Sequence, residues 1–267
     1  MFKRIFSKKN RALLAELVRS DFRLRYQGSV LGYTWSLLKP LLMFGILYIV
    51  FAKFLRIGTD IPNFPVYLLF GIVLWAFFAE MTQQSLTSIV SRGDLIQKIR
   101  IPRWIIIVSS SVSALINFAL NLVIVGIFLV FSDVQASSTI LWLPVIFLQI
   151  YIFALAMSLI LSAAYVKYRD ISYIWDVLIQ AGFYGTPILY PLSIITNETF
   201  QKLLLINPMA QAIQDARYTL VTKDTLTMST VWGSFYYRVI PLAIIGLLLI
   251  YGVFYFKKES KSFAENL

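Results

Sequence analysis

Residues 104–131 read WIIIVSSSVSALINFALNLVIVGIFLVF, and no acidic or basic side chain interrupts them. A helix needs about 20 predominantly apolar residues to cross the hydrocarbon core of a bilayer, so this stretch alone can span a membrane. Further apolar runs lie near residues 32–55, 64–86, 140–166 and 237–256, and another begins at residue 173 and is broken by glycines and prolines between residues 182 and 191. The sequence therefore predicts an all-α integral membrane protein with about six transmembrane helices.

The composition supports this fold class and limits the chemistry. Of the 267 residues, 59% are hydrophobic and only 14% are charged, whereas soluble domains are about 25% charged. The chain has no cysteine. It has no histidine either, and histidine is the commonest general base and the commonest metal ligand in proteins. It also lacks a G-x-x-x-x-G-K-[ST] stretch for ATP. We therefore predict no catalytic residues and no metal site.

The formal net charge of +11 follows the topology. Basic residues are concentrated at 3–25, 92–103, 167–169 and 257–261, before or after every second apolar run. By the positive-inside bias, both termini are cytoplasmic. Because the basic residues are distributed over short loops and do not form a patch on one exposed domain, they do not indicate nucleic-acid binding.

We predict that the whole chain forms one transmembrane domain, with a cytoplasmic amphipathic segment at 1–31, a membrane region at 32–256 and a cytoplasmic tail at 257–267. Within residues 10–26, apolar residues at i, i+3 and i+4 spacing face arginines, which predicts an amphipathic helix along the membrane surface. The residues that define its faces are Leu13, Leu17, Phe22 and Arg23. The pattern allows either a plain membrane anchor or a docking helix for a partner.

The loop between the second and third apolar runs is short and basic. Residues 88–104 read SIVSRGDLIQKIRIPRW, with Leu95, Ile96 and Ile99 at helical spacing. This pattern predicts a short amphipathic helix that would fit a cleft on a soluble partner. A basic turn that only fixes the topology is the alternative interpretation.

Three stretches carry motifs whose order and spacing extend over most of the chain. They are DFRLRYQGSVLGYTWSLLKPLL (Asp21 to Leu42), DLIQKIRIPRW (Asp94 to Trp104) and KYRDISYIWDVLIQAGFYGTPILYP (Lys167 to Pro191), the last followed by Asn207-Pro208. Together they resemble the membrane subunit of type-2 ABC exporters for polysaccharides, the family of O-antigen, capsule, teichoic acid and galactan permeases.

The resemblance implies a specific assembly in the plasma (inner) membrane of a prokaryote. Two copies of the chain would form the channel, and two copies of a separate ATPase subunit would bind ATP and Mg, so this chain would hold no cofactor and would not itself be an enzyme. The cargo would be a lipid-linked polysaccharide for lipopolysaccharide or cell-wall glycan biosynthesis. The resemblance assigns ATPase docking to a coupling segment formed by Asp94, Leu95, Ile96, Lys98, Ile99, Pro102 and Arg103.

The resemblance also implies an interface helix at residues 10–26 and short re-entrant helices at the external mouth, starting at the break near Gly185. A sugar path needs aromatic faces and neutral polar groups. The aromatic candidates near the cytoplasmic mouth and the break are Tyr26, Tyr33, Trp35, Phe183, Tyr184 and Tyr190. Anchoring at the membrane interface is the alternative role for each of them.

Two charged residues fall inside predicted spans, where charges are costly. Lys39 and Glu80 both lie roughly 10 Å from the cytoplasmic side, at a rise of 1.5 Å per residue. We predict that they pair, within one chain or between two copies. The alternative is that each side chain snorkels separately to water.

Other functions remain open at this stage. The same architecture could export a drug or a lipid. A secondary carrier would be expected to show internal repeats and buried titratable groups. A membrane-embedded glycan enzyme needs paired acids, and the external Glu198, Asp215 and Asp224 are scattered along the sequence.

Overall fold

A computed structural model describes residues 8–58, 61–98, 101–132, 134 and 138–263. Within these ranges all regular structure is helical, which confirms the all-α prediction. The α-helices are Lys8–Tyr26 (α1), Trp35–Tyr48 (α2), Phe64–Ser88 (α3), Gly93–Lys98 (α4), Trp104–Val130 (α5), Leu143–Lys167 (α6), Ile171–Gly185 (α7), Glu198–Ile206 (α8), Pro208–Leu220 (α9), Met228–Trp232 (α10) and Val239–Glu259 (α11).

Five helical segments in the described part of the chain are long and apolar enough to cross a membrane. They are Trp35–Phe54, Phe64–Ser88, Trp104–Val130, Ser138–Lys167 and Phe235–Glu259. The first continues α2 through a π-helical segment, and the last two add short 3₁₀ segments before α6 and α11. The remaining predicted crossing, the fifth along the chain, corresponds to α7, which has 15 residues and is about 22 Å long, so it falls short of the roughly 30 Å hydrocarbon core.

Helix α3 is the centre of the bundle. Of its most apolar 18-residue stretch, 78% of the residues are buried, compared with 11% for the segment that contains α2. The sequence explains the difference, because residues 64–78 of α3 are apolar on every side and a helix of that kind is buried all round. Helices α5, α6 and α7 all pack against α3, and together they place the polar residues of its second half beside α2 and α7.

Both termini of the described chain lie at one end of the bundle, which we call the basic end. Helix α1 packs against α5, and Asp21 on α1 pairs with Arg92, which follows α3. Arg103, which precedes α5, donates to the carbonyl oxygen of Ser260 at the end of α11. The N-terminal helix, the segment around α4 and the C-terminal end of α11 are therefore neighbours.

The opposite end, which we call the break end, carries the short helices α8, α9 and α10. The side chain of Asn197 accepts hydrogen bonds from the backbone amides of Thr199 and Phe200, and so caps α8. Asn207 caps α9 in the same way, and Pro208 occupies its first turn, where a missing N–H has no cost. The chain that follows α7 therefore folds into short helices, as the resemblance implies; that they are re-entrant stays a prediction.

Candidate functional site

A cavity of about 670 Å³ lies between α2, α3, α5 and α7. Three of the predicted path aromatics line it, namely Trp35, Phe183 and Tyr184, and so do both predicted intramembrane charges, Lys39 and Glu80. Amide side chains from three helices contribute further polar groups to the lining: Gln83, Gln84, Asn117, Asn121 and Gln180. The packing of four helices thus brings together residues that are far apart in the sequence.

Aromatic rings form much of the apolar wall. Phe77 stacks on Phe118 with their centroids 4.5 Å apart, and Trp75 contacts Phe183 edge-on at 6.3 Å. Trp35 and Tyr184 are 44% and 62% exposed. These two rings therefore have faces that a ligand in the cavity can contact.

The other aromatic candidates lie elsewhere or are not described. Tyr190 does not line the cavity; it is half-buried, and its hydroxyl donates to the carbonyl oxygen of Tyr184 at 3.4 Å. The side chains of Tyr26 and Tyr33, and residue Ile99 of the coupling segment, lie outside the described residues.

Glu80 is held by amides at the cavity wall. Its Oε1 accepts hydrogen bonds from Gln84 at 2.7 Å and from Asn117 on α5. Lys39 lies on α2 and is exposed. The two charged residues share one cavity, and their pairing stays a prediction.

Asp176 on α7 adds a second carboxylate beside this cavity, and sequence reasoning missed it. Its Oδ1 accepts a hydrogen bond of 3.0 Å from Nε2 of Gln83, which lines the cavity. Asp176, Gln180 and Tyr184 follow at i, i+4 and i+8 on α7, and all three are exposed. That spacing could have indicated a polar face on α7, which the sequence analysis treated only as an apolar run.

At the break end, Arg217 on α9 holds the chain where α7 stops. Its side chain is fully buried. Its Nη1 and Nη2 donate to the carbonyl oxygens of Pro187 and Ile188, each at 2.6 Å, and its Nε donates to the carbonyl oxygen of Tyr67 at 2.9 Å. Arg217 therefore satisfies carbonyls that the break leaves without helical partners, and it ties the break to α3.

The environment of Arg217 is shaped to receive a guanidinium. The group lies over the Tyr67 ring, 3.7 Å from its centroid. Gly71 leaves room for it, because a Cβ at that position would stand well under 3.0 Å from Nη2. Burial lowers the pKa of Arg217, while Tyr67 raises it. Sequence reasoning missed Arg217, since its acceptors are backbone carbonyls about 30 and 150 residues away in the sequence.

A second polar chain crosses the break end. Gln149 on α6 donates to Gln211, and Gln211 donates to Oδ2 of Asp215 on α9. The Oδ1 of Asp215 pairs with Arg238 at 3.0 Å. Burial raises the pKa of Asp215 to about 6, although Arg238 and Gln211 lower it. Asp215 is thus part of a structural network, and among the described residues no three acids, histidines or cysteines come together as a metal site.

Comparison with known proteins identifies the family. A family model described as ABC-2 type transporter matches residues 12–221, which is most of the chain. The chain belongs to the ABC-2 type transporter family. The resemblance that three separate motifs indicated is confirmed, and the chain is a multi-pass permease of the prokaryotic inner membrane.

The permease is similar to several proteins of known role. It is 34% identical to the O-antigen export system permease protein RfbA of Myxococcus xanthus, over 74% of the permease and 76% of that protein. It is 31% identical to a protein of the same name from Klebsiella pneumoniae, over 96% and 95% of the two chains. It is also 24% identical to the polysialic acid transport protein KpsM of Escherichia coli, over 74% and 76% of the two chains.

The coupling segment of the permease has one face outward and one inward. Asp94, Lys98 and Pro102 are exposed, and Leu95 is partly exposed. Ile96 is buried in a cluster that includes Phe256 and Phe263. Among the described residues of the segment, the exposed and partly exposed side chains, including the partly exposed Arg103, can contact a separate protein without a rearrangement, whereas Ile96 packs against its own chain.

Two anchors fix the coupling segment within the permease. Arg92 pairs with Asp21 on α1, and its Nη1 donates to the Ser109 hydroxyl at 3.1 Å. On the other side, Arg103 binds the carbonyl oxygen of Ser260, and the Phe263 ring packs edge-on against Phe256 at 5.6 Å. These contacts join the two ends of the segment to α1, to α5 and to the end of α11.

The helix α1 is amphipathic in the way its sequence predicts. Leu17 is buried, Leu13 and Phe22 are partly buried, and Arg23 is exposed. The helix packs on α5, and its partly buried Asp21 pairs with Arg92, two residues before the coupling segment. Helix α1 and the start of this segment are therefore neighbours at the basic end.

Proposed function

We propose that the permease is the channel-forming half of an ATP-driven exporter that moves a lipid-linked polysaccharide out of the cytoplasm. The observation that carries this proposal is the cavity of about 670 Å³, in which exposed aromatic rings alternate with amides and a carboxylate. Sugars present apolar C–H faces and hydroxyl groups, which such a lining can contact together. The relatives named as O-antigen and polysialic acid exporters support the same cargo class.

A separate ATPase would supply the energy by binding ATP and Mg. In our proposal, two ATPase subunits dock at the basic end, on the exposed Asp94, Leu95, Lys98 and Pro102 and on the outer face of α1. The anchors through Arg92 and Arg103 would transmit their movement, because these residues tie the docking surface to α1, α5 and α11. The basic end would then be cytoplasmic, with both termini inside, as the positive-inside bias predicts.

A second copy of the permease would complete the channel. Only 11% of the apolar stretch that contains α2 is buried. On α7, the polar or amphipathic residues Asp176, Gln180 and Tyr184 are exposed, so in a single copy within a membrane they would face lipid. Polar groups at membrane depth are costly against lipid. In a homodimer whose channel lies between the copies, these faces would be turned toward the partner copy and the water-filled path, and α8 to α10 would form the re-entrant external mouth.

Co-purification tests the ATPase partnership. The permease is co-expressed with a candidate ABC ATPase of the same organism, and binding and ATP turnover are measured. We expect Lys98→Glu, at the basic end, to weaken binding at least tenfold, a loss of about 1.4 kcal/mol. Lys223→Glu, an equally exposed charge reversal at the break end, is the matched control and should leave binding unchanged. A permease that binds no ABC ATPase would refute the proposed function.

A further inference from the structure

We infer that the cavity between α2, α3, α5 and α7 is a binding subsite for an uncharged, hydroxyl-rich sugar segment and that it disfavours acidic sugars. This inference rests on the proposed function, which gives the cargo class but not the charge of the cargo. The volume of about 670 Å³ lies within the roughly 300–1,000 Å³ of ordinary ligand pockets. It therefore suits a short segment of a glycan chain.

The hydrogen-bonding groups of the lining match hydroxyls. Glu80 in the lining and Asp176 beside it offer carboxylate oxygens, which accept hydrogen bonds but cannot donate them when ionised, whereas the amides of Gln83, Gln84 and Gln180 can both donate and accept. A sugar hydroxyl is at once a donor and an acceptor. A neutral sugar can therefore donate to the two acids and bond to the amides, while the carboxylate of an acidic sugar provides no donor for the two acids.

The charge balance points in the same direction. The cavity and its rim carry two formal negative charges, on Glu80 and Asp176, and one positive charge, on Lys39. An acidic sugar drawn toward Lys39 would meet Glu80 in the same cavity, so the surplus of negative charge opposes it.

Two exposed rings give the subsite its apolar contacts. Trp35 is on α2 and Tyr184 is on α7, and both line the cavity with 44% and 62% of their surfaces exposed. Neither ring depends on a charged ligand. They contact the apolar C–H faces of a sugar whatever its charge, so the preference for an uncharged sugar comes from the two acids.

Thiol protection tests the inference directly, because the natural chain has no cysteine. Met43 lines the cavity, is 39% exposed and carries no polar group of the proposed subsite, so Met43→Cys provides a reporter thiol. The variant is placed in nanodiscs without sugar detergents, and its labelling by neutral N-ethylmaleimide is timed. The probes are a neutral glucose oligomer and a sialic acid oligomer of equal length. Ser193→Cys, exposed at the break end, is the control thiol.

We expect the glucose oligomer to slow labelling of Met43→Cys by about tenfold at nine times its Kd, since the free fraction of sites falls as 1/(1 + [L]/Kd). The sialic acid oligomer should protect only after Glu80→Gln and Asp176→Asn remove both negative charges. Labelling of Ser193→Cys should not change. Equal or better protection of the unmodified cavity by the acidic oligomer would overturn the inference, and so would the absence of protection by either probe.

The assay requires no ATPase, so it can fail independently of the proposed function. A permease that docks an ATPase but shows no protection at Met43→Cys would remain an exporter subunit with its sugar contacts elsewhere. Protection without ATPase docking would leave the sugar subsite standing and remove the ATP-driven mechanism.

Discussion

Gly71→Ala is the sharpest test of how the break end is held together. The added Cβ would stand well under 3.0 Å from Nη2 of Arg217 and must displace it. That movement separates the guanidinium from the carbonyl oxygen of Ile188. A hydrogen bond to a charged group contributes about 1.5–3 kcal/mol, and the buried carbonyl left behind costs a similar amount. We therefore expect the clash to lower the free energy of unfolding by about 3 kcal/mol.

The helix preference of alanine opposes this loss only in part. Alanine is about 1 kcal/mol more favourable than glycine inside a helix, which leaves a net destabilisation of about 2 kcal/mol. At about 2–4 °C per kcal/mol for chains of this size, the unfolding midpoint should fall by about 4–8 °C. Monodispersity after heating in detergent micelles, measured by size-exclusion chromatography, reports that midpoint.

Gly126→Ala on α5 is the matched control, because a Cβ at that position meets no atom within 4 Å. We expect no loss of stability there. In a background of Arg217→Met, the Gly71→Ala change should cost much less than in the natural chain, because the two residues are coupled. If Gly71→Ala is as stable as Gly126→Ala, Arg217 does not hold the break in the way we describe.

Three further predictions concern other parts of the molecule. Asp21→Arg should weaken the attachment of α1 to the coupling segment, and ATP turnover by the complex should drop and recover when Arg92→Asp is added; no recovery would show that the pair is incidental. Phe263→Ala should lower the free energy of unfolding by an amount typical of a buried ring, about 3 kcal/mol, and so lower the unfolding midpoint, while Phe254→Ala, 68% exposed, should not. Because burial raises the pKa of Asp215 from 3.8 to about 6, the folded state binds more protons than the unfolded state between these values, and stability should fall as pH rises through that window. Asp215→Asn should flatten that slope in unfolding scans between pH 4 and 7, and an unchanged slope would place its origin elsewhere.

The sequence could predict what depends on local composition. The unbroken apolar run of residues 104–131 became α5, because a long helix without charges is the form that such a run takes in a bilayer. The i, i+3 and i+4 pattern around Leu17 became the amphipathic α1 for the same kind of reason. The break after Gly185 was also predictable, since Pro187 cannot continue a helix.

Features that depend on distant partners could not be predicted. Ile96 was assigned to a docking surface by its helical spacing, but it is buried against the C-terminal end of the chain. Sequence reasoning did not single out Arg217, because its partners are carbonyls of a remote break and of α3. Asp176 lies beside the cavity, bonded to Gln83, because α7 packs against α3. In each case the deciding contact joins segments whose pairing no local pattern encodes.

The central claim is that this chain provides the membrane path for ATP-driven export of a polysaccharide. The most direct measurement is the transport of a fluorescent lipid-linked oligosaccharide into proteoliposomes that contain the permease and its ATPase, with the ATPase sites outside. We predict that the oligosaccharide becomes protected inside the vesicles only with ATP and only with both proteins, and that Lys98→Glu slows this transport while Lys223→Glu does not. Protection that is equally fast without the permease, or that needs no ATP, would contradict the account.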